Sequence, residues 1–116
     1  MPRSAQRAGS RVFGWGVKTI STTELAEKLA GKGKHTLIDV REPHEFAAGH
    51  VKGSLNIPLG QLADSLRKLD AEVETFVICH SGSRSASAVR VMKRAGFENA
   101  YSVKGGTAAW HGKLVR

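Results

Sequence analysis

Six consecutive residues, Cys79-His80-Ser81-Gly82-Ser83-Arg84, have the types and order needed for chemistry on sulfur. They follow the apolar run Thr75-Phe76-Val77-Ile78 and precede a segment, Ser85 to Ala95, in which Ala86, Val89 and Ala95 are packing residues and Gly96 is the stop. A loop this tight between a strand and a helix can turn successive backbone N–H groups inward around the sulfur. Gly82 allows a backbone conformation that most residues resist. A nest of amides at a helix N-terminus is an anion site, and the anion here is a thiolate, a persulfide or a bound oxyanion. Arg84 closes the ring with a fixed positive charge.

Magnitudes separate two uses of such a cradle. A thiol with pKa about 8.5 is only about 3% thiolate at pH 7, and moving it to about 6.5 takes about 2.7 kcal/mol. A helix terminus supplies about 0.3–1 kcal/mol, so several loop amides and Arg84 must share the work. The resulting gain of about 25-fold in thiolate is reduced about 6- to 10-fold by lower basicity. The cradle therefore serves mainly to bind an anionic donor and to hold a charged product on sulfur.

The plainer alternative for Cys79 is a buried, inert residue at a strand end. It is the only cysteine, so an intramolecular disulfide and a cysteine-only metal cage within one chain are both excluded. His44, His50 and His80 lack tight ligand spacing, and neither a metal nor an organic cofactor is expected.

The 116 residues are enough for one core and too few for two. The balance of 18 Lys and Arg against 10 Asp and Glu gives a net charge of +8. Four of those cations are Arg3, Arg7, Arg11 and Lys18, in a stretch rich in Ser, Ala and Gly that holds no acidic residue. Residues 1–16 are expected to be a basic flexible leader, and 17–116 the folded domain. A nucleic-acid arm needs aromatic groups among its arginines, and only Phe13 and Trp15 are near, so no nucleic-acid partner is expected. No apolar stretch is long enough to span a bilayer, and the expectation is a cytoplasmic protein without a membrane partner. Arg90, Lys93 and Arg94 are read as a solvated helix face, with steering of an anion or docking of an acidic partner as the alternatives.

The elements that position Cys79 alternate along the chain. Lys18 to Ile20 reads as a strand, and Ser21 and Glu24 have capping-box spacing ahead of a helix that stops at Gly31. His35 to Val40 reads as a strand, Pro43 to Ala48 as a short helix, Ser54 to Ile57 as a strand and Leu59 to Leu69 as a helix. After the Cys79 strand and its helix come a strand from Asn99 to Val103 and a last helix from Thr107 to about Leu114. Strands apolar on both faces and separated by helices predict an α/β sandwich, with a central parallel sheet of about five strands and helices on both faces. Ligands of such sheets bind outside the carboxyl ends of the strands, where Cys79 sits.

In four places, and in order, the chain resembles the single-domain rhodaneses, a family of sulfurtransferases. These are Leu37-Ile38-Asp39-Val40-Arg41-Glu42, then Glu45-Phe46 with Gly49-His50-Val51-Lys52-Gly53-Ser54-Leu55-Asn56-Ile57-Pro58, the Cys79 loop, and Gly105-Gly106-Thr107-Ala108-Ala109-Trp110. The resemblance runs from about Val17 to Arg116. It implies that Cys79 takes sulfane sulfur from a small anionic donor such as thiosulfate, or from a persulfide, and passes it to cyanide, a thiol or a protein acceptor. It also implies that His80, Ser81, Gly82, Ser83 and Arg84 bind substrate, with Arg84 the anion contact. Asp39 and Arg41 match a charged pair at the rim, which leaves open a substrate contact by Arg41 or a salt bridge that organises loops. Glu45 and His50 match the pattern and are assigned to the scaffold, and Trp110 to packing. Position 80 is His where many thiosulfate-using relatives carry Arg.

Two other functions compete with sulfur transfer. The related phosphatases and arsenate reductases have five residues between Cys and Arg, whereas four separate Cys79 from Arg84, and the shorter loop favours sulfur. A non-catalytic binding or sulfur-carrier module is the third reading, since fold does not fix function.

Overall fold

Alternate residues of the central strands point to opposite faces of one sheet, and the core divides accordingly. The computed structural model describes residues 11–13 and 16–116. In chain order its strands and α-helices are β1 (Arg11–Phe13), β2 (Val17–Ile20), α1 (Thr22–Ala30), β3 (His35–Asp39), α2 (Pro43–Ala48), β4 (His50–Val51), β5 (Leu55–Asn56), α3 (Leu62–Ser65), β6 (Glu74–Ile78), α4 (Ser83–Arg94), β7 (Ala100–Val103) and β8 (Leu114–Val115). The main sheet has the order β1-β2-β7-β6-β3-β5. Strands β2, β7, β6, β3 and β5 are mutually parallel, the expected five. On one face Val77 and Cys79 pack with Ile38, Val40, Leu62, Ala88, Val89 and Met92. On the other, Phe76 and Ile78 pack with Leu25, Leu37 and Val103. Period-two alternation through β6 thus selects the face on which the sulfur lies.

Local signals placed the first helix. The Ser21 hydroxyl accepts from the Glu24 N–H at 3.1 Å, and the Glu24 carboxylate accepts from the Ser21 N–H at 3.0 Å, the reciprocal cap its spacing predicts.

Arg11–Phe13, within the expected leader, pairs antiparallel with Val17–Ile20 and covers what would otherwise be an open sheet edge. Residues 1–10, 14 and 15 of that leader lie outside the described residues. Two expectations are corrected. The helix expected over Leu59 to Leu69 is α3 flanked by 3₁₀ turns at Leu59–Gln61 and Leu66–Lys68, with Leu62 and Leu66 buried. Its leucine spacing is compatible with both helix types, so the pattern did not distinguish them. The helix expected from Thr107 is a single 3₁₀ turn, Gly106–Ala109, and Leu114–Val115 instead pairs antiparallel with His50–Val51. A Cβ at Gly112 would lie 2.7 Å from the Trp110 indole nitrogen, so the chain folds back against that ring rather than continuing as a helix.

The carboxyl end of β3 is clamped by charge. Asp39, fully buried, takes Arg41 Nε at 3.0 and 3.1 Å and Nη2 at 2.8 Å, and its Oδ1 also accepts the Arg41 N–H at 3.0 Å. Nη2 donates a further 2.7 Å bond to the Gly49 carbonyl, and the Asn56 amide ties the carbonyls of Asp39 and Arg41 together. Breaking a buried pair on one side leaves an uncompensated charge. Arg41→Ala is therefore expected to cost about 3–5 kcal/mol in urea unfolding, with Arg41→Lys recovering only part because an ammonium cannot span both carboxylate oxygens.

Candidate active site around Cys79

Cys79 is the first residue beyond β6, beside the end of β3, where Asp39 is in register with Ile78. Its side chain is buried, two backbone N–H groups donate to its sulfur, and the thiol itself donates to the Ser85 hydroxyl. The N–H of Gly82 donates at 3.1 Å and that of Ser85 at 3.3 Å, while the Ser85 hydroxyl lies 3.5 Å from Sγ. Gly82 caps α4 with φ 110°, a left-handed conformation that brings its amide round to the sulfur. The 12-residue α4 begins at Ser83, so the sulfur also faces the positive end of a helix dipole.

Burial pushes the Cys79 thiol up, but it is outweighed by the Ser85 hydroxyl and the N–H groups of Ser85, Gly82 and Ser81, so the thiol lies below its ordinary range. The amides expected from the loop are thus directed at sulfur. The side chains of His80, Ser81 and Ser83 are exposed, and what the segment brings to the sulfur is chiefly its backbone.

Arg84 is engaged by a carboxylate. Its Nη1 and Nη2 donate to Glu45 Oε1 and Oε2 at 2.7 and 3.0 Å, joining α2 to the first turn of α4. The Arg84 guanidinium, the Glu42 N–H and the nearby Arg41 charge outweigh burial and hold Glu45 at about 2 instead of 4.5. Glu45 in turn raises Arg84. Arg41 is buried, with Nε and Nη2 committed to Asp39 and Gly49, so of the two roles open for it loop organisation is the one displayed. His50 stacks on Phe46 at 3.6 Å and its Nδ1 is 2.8 Å from the Phe46 carbonyl, a scaffold position. Trp110 packs against the second core face.

Two supports of the site were not assigned to it from the sequence, although Gly106, Thr107 and Ala108 lie in one of the motifs of the resemblance. Ser102 of β7, on the same face as Cys79, lies 2.7 Å from the Ser85 hydroxyl, and the Ser85 hydroxyl also donates to the Gly82 carbonyl at 3.1 Å. A serine amid the apolar positions of a strand is the only trace of that role. From behind, the N–H groups of Thr107 and Ala108 hold the carbonyls of Cys79 and His80 at 2.8 and 3.0 Å. A Cβ at Gly106 would lie 2.3 Å from the Cys79 carbonyl oxygen, so no larger residue fits without moving the loop.

Residues 21–113 match the Rhodanese-like domain family, and the chain belongs to it. It is 37% identical to the thiosulfate sulfurtransferase GlpE of Pseudomonas putida, over 75% of this chain and 79% of that one. It is also 37% identical to YqhL of Bacillus subtilis, an uncharacterized protein, over 84% of this chain and 75% of the relative. The crystal structure of a rhodanese-like domain protein from Staphylococcus aureus superposes with a TM-score of 0.77 at 31% identity, covering 84% of this chain and 95% of that one.

The bonds that lower the thiol can be removed singly. Iodoacetamide alkylation of Cys79 is expected to show a pH midpoint below that of a free thiol. Ser85→Ala should move the midpoint upward, because the Ser85 hydroxyl, which accepts from the thiol and donates to the Gly82 carbonyl, can turn its proton to the thiolate, while the Ser85 amide stays in place. An unmoved midpoint would mean that the hydroxyl does not act on the sulfur.

Proposed function

We propose that this protein is a sulfurtransferase in which Cys79 carries the transferred sulfur as a persulfide, taking it from thiosulfate or a persulfide donor and giving it to a thiol or cyanide. The observation that carries the proposal is the pair of backbone amides, Gly82 and Ser85, aimed at one buried sulfur at the start of α4. Relatives named for thiosulfate sulfur transfer support it.

The reaction runs in two displacements. Cys79 thiolate attacks the outer sulfur of the donor. With thiosulfate, the new Cys79 S–S bond forms as the donor S–S bond breaks, and sulfite leaves with the electron pair. The terminal sulfur then carries the negative charge, and the inward-facing loop supplies amide donors for it. Cyanide next attacks that terminal sulfur, thiocyanate departs and Cys79 thiolate returns; a thiol acceptor instead leaves with the sulfur as its own persulfide. Each step conserves charge and needs no external oxidant or reductant.

Fixed amide dipoles need no reorganisation as charge moves onto the terminal sulfur, and a neutral amide also tolerates the uncharged thiol between turnovers. The four-residue spacing between Cys79 and Arg84 matches a cradle for a single sulfur atom rather than a tetrahedral phosphate.

Thiocyanate formation from thiosulfate and cyanide, followed colorimetrically, is expected for the wild-type chain and absent in Cys79→Ser. Turnover retained in that variant would refute the persulfide route.

A further inference from the structure

Both guanidinium groups at the rim of the site are already held by carboxylates: Arg41 by the buried Asp39, and Arg84 by Glu45 through two bonds of 2.7 and 3.0 Å. Arg84 is the only fixed cation in the Cys79–Arg84 loop. Position 80, where an arginine would add a second, is histidine. Arg90, Lys93 and Arg94 lie further along α4, about 10 to 16 Å along its axis from Ser83, beyond the screening length of about 8 Å at physiological salt. The chain is strongly basic, yet the cation nearest its reactive loop is neutralised.

From this we infer that Glu45 is a specificity-determining residue: by occupying Arg84 it disfavours a doubly charged donor such as thiosulfate and selects an alkyl persulfide, which carries at most one negative charge. The inference rests on the sulfurtransferase reading and narrows its donor class. Thiosulfate carries two negative charges into the site and releases a sulfite dianion there. For a dianion to use Arg84, it must displace or share a bidentate carboxylate contact. An alkyl persulfide makes no such demand. Cys79 thiolate attacks the terminal sulfur of R–S–SH, the new Cys79 S–S bond forms as the donor S–S bond breaks, R–S⁻ leaves with the electron pair, and the proton on the transferred sulfur passes through solvent to that thiolate. Cys79 is left with an anionic persulfide inside the amide cradle.

Glu45 stays ionised through the whole working pH range, since Arg84 and the Glu42 N–H hold it at about 2. The occupation of Arg84 is therefore not switched by pH within that range. Glu45 also has a local task, accepting the Glu42 N–H at 2.9 Å in the first turn of α2. Glutamine keeps that acceptor and the shape of the side chain while removing the charge.

The test is the rate at which Cys79 gains one sulfur, read by intact-mass spectrometry, with thiosulfate and with 2-hydroxyethyl persulfide released in situ. Glu45→Gln is expected to raise the thiosulfate-to-persulfide rate ratio about tenfold, the worth of one charge-assisted contact made available. The double variant E45Q/R84Q should return the ratio to near the wild-type value, which shows that the gain passes through Arg84. A merely structural role for Glu45 would slow both donors alike and leave the ratio unchanged, and that result overturns the inference, as does a raised ratio that persists in the double variant. Failure of both donors to place sulfur on wild-type Cys79 is a different result: it removes the sulfurtransferase reading and this inference with it.

Discussion

The site depends on the direction in which two peptide carbonyls point. The oxygens of Cys79 and His80 are held by the N–H groups of Thr107 and Ala108, behind the loop. In a trans peptide the C=O and the following N–H are antiparallel, so fixing the His80 carbonyl backward turns the Ser81 N–H toward the sulfur. Ser81, Gly82 and Ser85 together supply the amides that lower the thiol against the opposing effect of burial. Gly106 makes the arrangement possible by leaving no side chain between the two segments. The sheet brings them together: β7 lies beside β6, so the turn that follows β7 passes under the loop that follows β6.

Charge around this loop is arranged in pairs. Asp39 with Arg41 fixes the end of β3, and Glu45 with Arg84 joins α2 to α4. What the loop itself turns toward the sulfur is the positive charge of the backbone, in the amides and the helix terminus. Such a field acts at short range and suits one anionic sulfur atom better than an extended polyanion. The net charge of +8 is therefore a poor guide to the site, because its nearest guanidinium groups are already matched.

How much of this was legible in the sequence follows the range of each interaction. The Ser21–Glu24 cap, the Pro43 helix start and the apolar run of β6 are local, and each element formed where its residues called for it. The Cys79 loop was legible because its donors lie within six residues of the sulfur they serve. The Ser85–Ser102 contact joins residues 17 apart and the Thr107–Cys79 contact residues 28 apart, and no periodicity records either. The last helix was misread for the same reason. Trp110 and Leu114 have helical spacing, but β8 is decided by pairing with His50–Val51, more than sixty residues earlier. Arg84 was assigned to an anion and Glu45 to the scaffold; that each is the other's partner appears only when α2 is packed against α4.

The central claim is that the loop holds a sulfane sulfur on Cys79, and the most direct measurement is peptide mapping by mass spectrometry after exposure to a sulfur donor and removal of the excess. The account predicts one added sulfur on the peptide bearing Cys79, lost on addition of cyanide with formation of an equal amount of thiocyanate. A Cys79 peptide that stays unmodified with both thiosulfate and an alkyl persulfide, in a folded protein whose thiol still alkylates, would contradict it.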